Sequence, residues 1–265
     1  MMRILVTNDD GINAPGLVVL QEIAEKLSSD VWVVAPETNQ SGASHSLTLH
    51  EPLRCREVAE RMYAVRGTPS DCVIMAVRHI LKEEPPDLVL SGVNAGANLA
   101  EDVSYSGTIA GAAEGTLLGI RSIAMSLTYG FDPQGRVHWE TPLVHGPGIV
   151  ETLLATGFPE GVLINVNYPD LPPDAVQGIA VTHQGRRDQN MLHIDERADP
   201  FGSPYFWFGF ERRKSNPAEG TDLWAIYKGQ ISITPLYLNL THQPSCDSLR
   251  NAFAASDDLH RKRSG

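Results

Sequence analysis

The sequence predicts an α/β fold: a Rossmann-like, three-layer arrangement around a mostly parallel sheet, with a C-terminal extension that is β-rich and helical. Three observations carry this expectation. Short apolar runs such as Arg3–Thr7 (RILVT), Val31–Ala35 (VWVVA) and Asp87–Leu90 (DLVL) read as strands buried on both faces. Stretches between them space their apolar residues as helices do. Several runs also end in polar, glycine-bearing loops, as parallel strands do where a crevice opens at their carboxyl ends.

Taken in order, the first strand opens into Asn8-Asp9-Asp10-Gly11, and Pro15-Gly16 then start an amphipathic helix through Leu17, Leu20, Ile23, Ala24 and Leu27. Pro36 stops the second strand, and a polar loop runs from Glu37 to Ser46. Alternating stretches at Leu47–Arg56 and Arg61–Val65 predict a hairpin. Thr68 as N-cap and Pro69 at the first helical position begin a helix carrying Val73, Ile74, Val77, Ile80 and Leu81. The strand ending at Leu90 leads into Ser91–Asn98, a Gly/Ala-rich helix from about Thr108 to Leu118, and a strand at Ser122–Leu127. A helix near Gly148–Ala155 and a strand at Val162–Val166 follow. Beyond them the pattern turns irregular, with strands at Ile179–Val181 and Gln230–Thr234 and a last helix near Ser245–Ala255. The run Tyr205-Phe206-Trp207-Phe208 reads as packing or an interface edge, and the tail His260–Arg263 as frayed. The chain thus divides into a catalytic region, 1–170, and an extension, 171–265, suited to oligomer contacts.

A chain of 265 residues can bury a large core, roughly 70–75% of the surface it exposes when unfolded. The net charge of −11 argues against a protein that holds nucleic acid polymers through broad backbone contacts. A small anionic substrate remains compatible with it, because a bound cation reverses the local field. Three scattered cysteines, Cys55, Cys72 and Cys246, fit a reduced chain. The N-terminus begins a strand at once instead of a signal peptide, and no run of about 18 apolar residues exists to span a bilayer. A cytoplasmic protein without membrane contact is the expectation. No GxxxxGK[ST], G-x-G-x-x-G or G-x-S-x-G motif occurs, which argues against P-loop, dinucleotide and serine-hydrolase chemistry. Asn8 stands where a haloacid-dehalogenase-type phosphatase needs its nucleophilic Asp, and an amide forms no aspartyl-phosphate.

The loops Asn8–Gly11, Glu37–Ser46 and Ser91–Asn98 should converge on one crevice, bringing Asp9, Asp10, Ser41, Asn94 and Asn98 together. Adjacent carboxylates repel, and a hard divalent cation resolves that repulsion. An isolated Asp-Asp pair is more often a capped turn; strand-end placement and oxygen donors on two further loops favour a metal. Ser106-Gly107-Thr108 stands at a helix entrance, where free N–H groups suit a phosphate, although Ser-Gly-Thr is also an ordinary capping sequence. His45 in the polar loop, His183, the Arg186-Arg187 pair and Glu101-Asp102 are lesser candidates, each more readily explained as solvated.

Four ordered segments, ILVTNDDGINAPG, VVAPETNQSGASHSLTL, LVLSGVNAGANLAEDVSYSGTIAGAAEG and GTDLWAIYKGQISITPL, resemble the SurE family of stationary-phase survival proteins, metal-dependent 5′(3′)-nucleotidases. The likeness is dense over about residues 3–128 and returns at INVNYP. It implies metal ligation by Asp9, Asp10, Ser41 and Asn94, with one Mg²⁺ or Mn²⁺ per subunit. It implies phosphate contacts from Ser106, Gly107 and Thr108 with Asn98 close by, and a C-terminal extension that exchanges elements between subunits to give homodimers or homotetramers. The implied activity is hydrolysis of nucleoside monophosphates, some members also acting at the 3′ position or on polyphosphate, with Asp9 and Asp10 central to catalysis. Two other classes fit the same loops: a non-catalytic module that senses nucleotide or metal, and a glycosyltransferase-like enzyme that holds a sugar nucleotide through Asp-Asp.

Overall fold

Strands that are apolar on both faces need cover on both faces. The computed structural model provides it, and describes residues 1–130, 136–187, 192–210 and 215–263. The strands β1 (Arg3–Thr7), β2 (Asp30–Pro36), β3 (Arg54–Ala59), β4 (Met62–Arg66), β5 (Leu88–Ala95), β6 (Arg121–Leu127), β7 (Val162–Tyr168), β8 (Ile179–Val181) and β11 (Ile231–Tyr237) form one nine-stranded sheet. Its order is β3-β4-β2-β1-β5-β6-β7-β11-β8. From β4 across to β7 every pairing is parallel; β3 and β11 join antiparallel. A separate antiparallel hairpin, β9 (Leu192–Ala198) with β10 (Pro204–Phe210), stands outside this sheet.

Period-two alternation sorts the core. Ile4 and Val6 face the layer of α1 (Pro15–Leu27) and α4 (Glu140–Thr156), while Leu5 faces that of α2 (Pro69–Met75). The helix α3 (Gly107–Leu117) packs beside α2 and sets Ile109, Ala112 and Ala113 against Ala124 and Leu163. The chain runs from β1 through α1 to β2 on one side, and later places β5 on the other. The sheet therefore has a topological switch point between β1 and β5, at whose carboxyl end a crevice opens.

The α/β class, the Thr68 cap and most strands stand as expected; four details differ. Residues 47–53 form a loop, not a strand: Thr48 gives its N–H (3.1 Å) and hydroxyl (2.6 Å) to Asp71, whose carboxylate also closes the capping box with Thr68. The helix expected from Gly148 begins at Glu140 and contains Pro147. Proline has no N–H for the carbonyl of Leu143 one turn back, and Lys26 Nζ, from α1, takes that carbonyl instead at 3.1 Å. β11 continues past Thr234 through Pro235, a position where the short β8 has already ended and no ladder donor is needed. The tail expected to fray is the end of α6 (Gln243–Arg263). Strands β8 and β11, both from beyond residue 170, are built into the main sheet, and α5 (Asp222–Tyr227) packs against β11.

Gly16 lets α1 close on the crevice: a Cβ there would stand 1.9 Å from the carbonyl oxygen of Val93 and 3.0 Å from the ring of Trp139. Gly16→Ala is expected to destabilise the protein by about 2 kcal/mol or more, read as a lower urea midpoint. An unchanged midpoint would show that α1 shifts away from β5 without cost.

Candidate metal centre and phosphate site

The chain turns immediately after β1. Asn8 donates its amide to the carbonyl of Gly11 (2.9 Å) and accepts the Gly11 N–H (3.3 Å), so this turn is closed in both directions; Gly11 completes it at φ +103°. Asp9 and Asp10 leave the strand end on that fixed backbone. Asp9 is only 4% exposed, and its Oδ1 accepts the hydroxyl of Thr108 at 2.6 Å. It lies so close to the entrance of α3 that a Cβ on Gly107 would be 2.7 Å from Asp9 Cβ and 2.8 Å from Oδ2. The carbonyl of Asp9 accepts Gln40 N–H at 2.7 Å, binding the second loop to the first. Asp10 Oδ2 accepts Ala95 N–H at 3.2 Å, binding the third, and its Oδ1 accepts Asn39 Nδ2 from the second at 3.4 Å.

The other oxygen donors sit on those loops. Register shifts in β5 between Ser91 and Asn94, and the amide of Asn94 is spent on the carbonyl of Gly96 at 2.8 Å, leaving its side-chain oxygen as an acceptor. Ser41 gives its backbone N–H to Asn39 Oδ1 at 2.8 Å and stays exposed. Ser106 caps α3, accepting Ile109 N–H at 3.0 Å. Gly107, at the first helical position, precedes the intrahelical donors. The hydroxyl of Thr108 is committed to Asp9, so it braces a carboxylate.

Burial pushes the carboxyl of Asp9 up to about 6; the Thr108 hydrogen bond opposes this and the charge of Asp10 adds to it. Burial also raises Asp10, against the pull of Ala95 N–H. Two neighbouring carboxylates that resist ionisation are what a cation would relieve. Among the described residues no group of three His, Cys, Asp or Glu could hold a metal. The carboxylates of Asp9 and Asp10, with the neutral oxygens that the family resemblance implies, those of Ser41 and Asn94 on the neighbouring loops, could hold a cation, and such a donor set suits Mg²⁺ or Mn²⁺.

Asn98 is buried in a polar network. Its N–H goes to Asn167 Oδ1 (2.8 Å), its Nδ2 to Ser126 Oγ (2.7 Å), and its carbonyl accepts Asn165 Nδ2 (2.8 Å) and Asn167 Nδ2 (3.2 Å). The sequence reading assigned no role to Asn165 and Asn167. Their signal was Asn-Val-Asn in a buried strand, which puts both amides on one face. It assigned none to Asp222 either, which accepts N–H groups from Ala100, Gly185 and Leu223, each at 2.8 Å. His45 pairs with Glu114 at 2.9 Å, two turns along α3 from Gly107. His183 bridges Thr221. Arg187 and Asp102, expected in solvent, are half-buried partners of one another at 2.5 Å.

A family model described as Survival protein SurE matches residues 4–191. The chain is 61% identical to the 5′-nucleotidase SurE of Parvibaculum lavamentivorans, over 95% of this chain and 91% of that one. It is 60% identical to the 5′-nucleotidase SurE of Methylobacterium nodulans, over 95% of this chain and all of that one (100%). A crystal structure of the SurE protein from Aquifex aeolicus matches with a TM-score of 0.80 at 42% identity, covering 94% of this chain and 99% of that one.

The folded state holds a proton on Asp9 more tightly than the unfolded chain does, since its pKa rises from 3.8 to about 6. The metal-free fold therefore loses stability as pH rises between those values, and the full penalty stands above them. Asp9→Asn, which keeps the acceptor for Thr108, is expected to stabilise the metal-stripped protein by about 2 kcal/mol at pH 7.5 and by almost nothing near pH 4. Thermal melts at both pH values check it; equal or lower stability of the variant at pH 7.5 would contradict it.

Proposed function

The chain belongs to the SurE family, and on that premise we propose that it is a divalent-metal-dependent 5′-nucleotidase, hydrolysing nucleoside monophosphates to nucleoside and phosphate. The observation that carries the reading is the pair Asp9-Asp10, set at the switch point of the sheet against the entrance of α3. Asp9, Asp10, Ser41 and Asn94 would hold Mg²⁺ or Mn²⁺, which when bound neutralises phosphoryl oxygens and lowers the pKa of a coordinated water.

The chain's own groups do the rest. The N–H of Gly107 and the hydroxyl of Ser106 receive phosphoryl oxygens at the positive end of α3. Thr108 holds Asp9 in one orientation. Asp10, less buried than Asp9, orients the attacking water. Asn98, locked between Ser126 and Asn167, fixes the loop that faces the phosphate. Because these groups address phosphate and not base, the reading extends to 3′-nucleotides and polyphosphate ends. Homodimers or homotetramers form part of the proposal: β9 and β10 expose Ile194, Phe206, Trp207 and Phe208 outside the main sheet. So does a reducing, cytoplasmic setting, supported by three free cysteines. Among the described residues no helix is long and apolar enough to cross a membrane.

The decisive experiment incubates purified protein with nucleoside 5′- and 3′-monophosphates, with and without Mg²⁺ or Mn²⁺, and measures free phosphate. Metal-dependent release is expected, and Asp9→Asn or Asp10→Asn should lower it about 100-fold or more in variants that remain folded. Saturable binding without turnover would favour a sensor, and turnover only of a sugar nucleotide with an acceptor a glycosyltransferase-like enzyme. Full activity of either variant in excess chelator would refute the metal mechanism.

A further inference from the structure

The phosphate site is fed by a short turn that is held from the far end of the chain. Residues Ala100–Ser104 form a single 3₁₀ turn between Asn98 and the α3 cap Ser106. Ala100 sits at φ +51°, a conformation an L-residue keeps only where its surroundings hold it. Three side chains from beyond residue 170 do so. Asp222 Oδ2 accepts Ala100 N–H at 2.8 Å, and Gln184 Nε2 donates to the Ala100 carbonyl at 2.8 Å. Arg187 spans the turn: Nη1 donates to the Leu99 carbonyl (3.2 Å) and to Asp102 Oδ1 (2.9 Å), and Nη2 to Asp102 Oδ2 (2.5 Å). Its backbone N–H meets both carboxylate oxygens of Glu101, at 3.1 and 3.2 Å. The turn then hands over directly to the phosphate site, through Tyr105 N–H on the carbonyl of Asp102 (3.0 Å).

We propose that Arg187 is a positioning residue for phosphate binding: its fork on Asp102 and Leu99 sets the Ala100–Ser104 turn, and through it the entrance of α3. This rests on the phosphate site proposed above. The guanidinium side chain is 17% exposed and its described bonds go to protein groups, so it acts through the turn and not on the substrate. Without the fork, Asp222 and Gln184 still anchor Ala100, so the fold survives while the half of the turn next to Ser106 relaxes. The metal-ligating candidates Asp9, Asp10, Ser41 and Asn94 all lie upstream of Leu99, so a cation should bind as before.

The test uses the full chain. Arg187→Met removes charge and fork; Arg187→Lys keeps the charge without the two-pronged geometry and decides alone if the first variant does not fold. Both are expected to lose about tenfold or more in kcat/KM for a nucleoside monophosphate, chiefly through KM. Affinity for Mn²⁺ by calorimetry should stay within about twofold of wild type. Inorganic phosphate titrated into the Mn²⁺-loaded protein should bind weaker by a similar factor. The double variant D102N/R187M should be no worse than R187M, because both changes remove one contact. Arg186→Met, at the exposed neighbour, is the control and should match wild type. Wild-type kcat/KM and phosphate affinity in R187K, or a loss of Mn²⁺ affinity as large as the loss of activity, would overturn the assignment. Absence of hydrolysis by the wild-type protein would overturn the nucleotidase reading, whereas the phosphate titration still decides the role of Arg187.

Discussion

Two carboxylates on consecutive residues at the end of a buried strand cost free energy, and the surrounding architecture is arranged around that cost. Asp9 meets it with the Thr108 hydroxyl and the positive end of α3, which approaches only because residue 107 has no side chain. Asp10 meets it with Ala95 N–H and Asn39. Each compensating bond comes from a different segment of the chain, so satisfying the carboxylates and assembling the crevice are the same event. The compensation is incomplete, since burial still holds the carboxyl of Asp9 above its usual range; a cation would complete it. The turn at Asn8–Gly11 matters because it fixes the two charges in place where a flexible loop would let them part.

Around this centre the protein buries many polar groups; the hydroxyls of Thr7 and Ser91 have no hydrogen-bond partner among the described residues, whereas those behind Asn98 are paired. The interior of β6 and β7 carries Ser126, Asn165 and Asn167, which would be costly if left unpaired; the two asparagines instead clamp the main chain of Asn98 and Ser126 accepts its side-chain amide. Asp222 does the same for two segments at once, with one oxygen on Ala100 and the other on Gly185 and Leu223. Residues far along the chain thus become part of the frame behind the crevice. Division at residue 170 follows the change in sequence character, but hydrogen bonds and sheet pairing run across it.

What was legible in the sequence was whatever depends on short-range pattern. The buried strands, the Thr68 cap and the polar loops at strand ends follow from periodicity and capping chemistry, and the candidate oxygen donors were picked out because those loops share one edge of a parallel sheet. What escaped depends on partners distant in the chain. The Leu47–Leu53 segment alternates like a strand, yet Thr48 is drawn to Asp71. Arg187 looked like a solvated basic turn because its carboxylate, Asp102, is 85 residues away in sequence. Thr108 was legible as part of a helix-entrance turn for phosphate, but that its hydroxyl also braces Asp9 was not, because the contact depends on how closely Gly107 lets the helix approach.

Pro147 in the middle of α4 has a consequence for how the molecule comes together. A helix interrupted in this way has an unserved carbonyl at Leu143, and the group that serves it, Lys26, belongs to α1. Gly146 strengthens the dependence, since a side chain there would press to within 2.8 Å of Ile23 on the same partner helix. Residues 140–156 are therefore poorly equipped to hold a helix by themselves, and gain one by docking. In the native protein the same linkage makes α1 and α4 one cooperative unit, whose amide protons should exchange with solvent together.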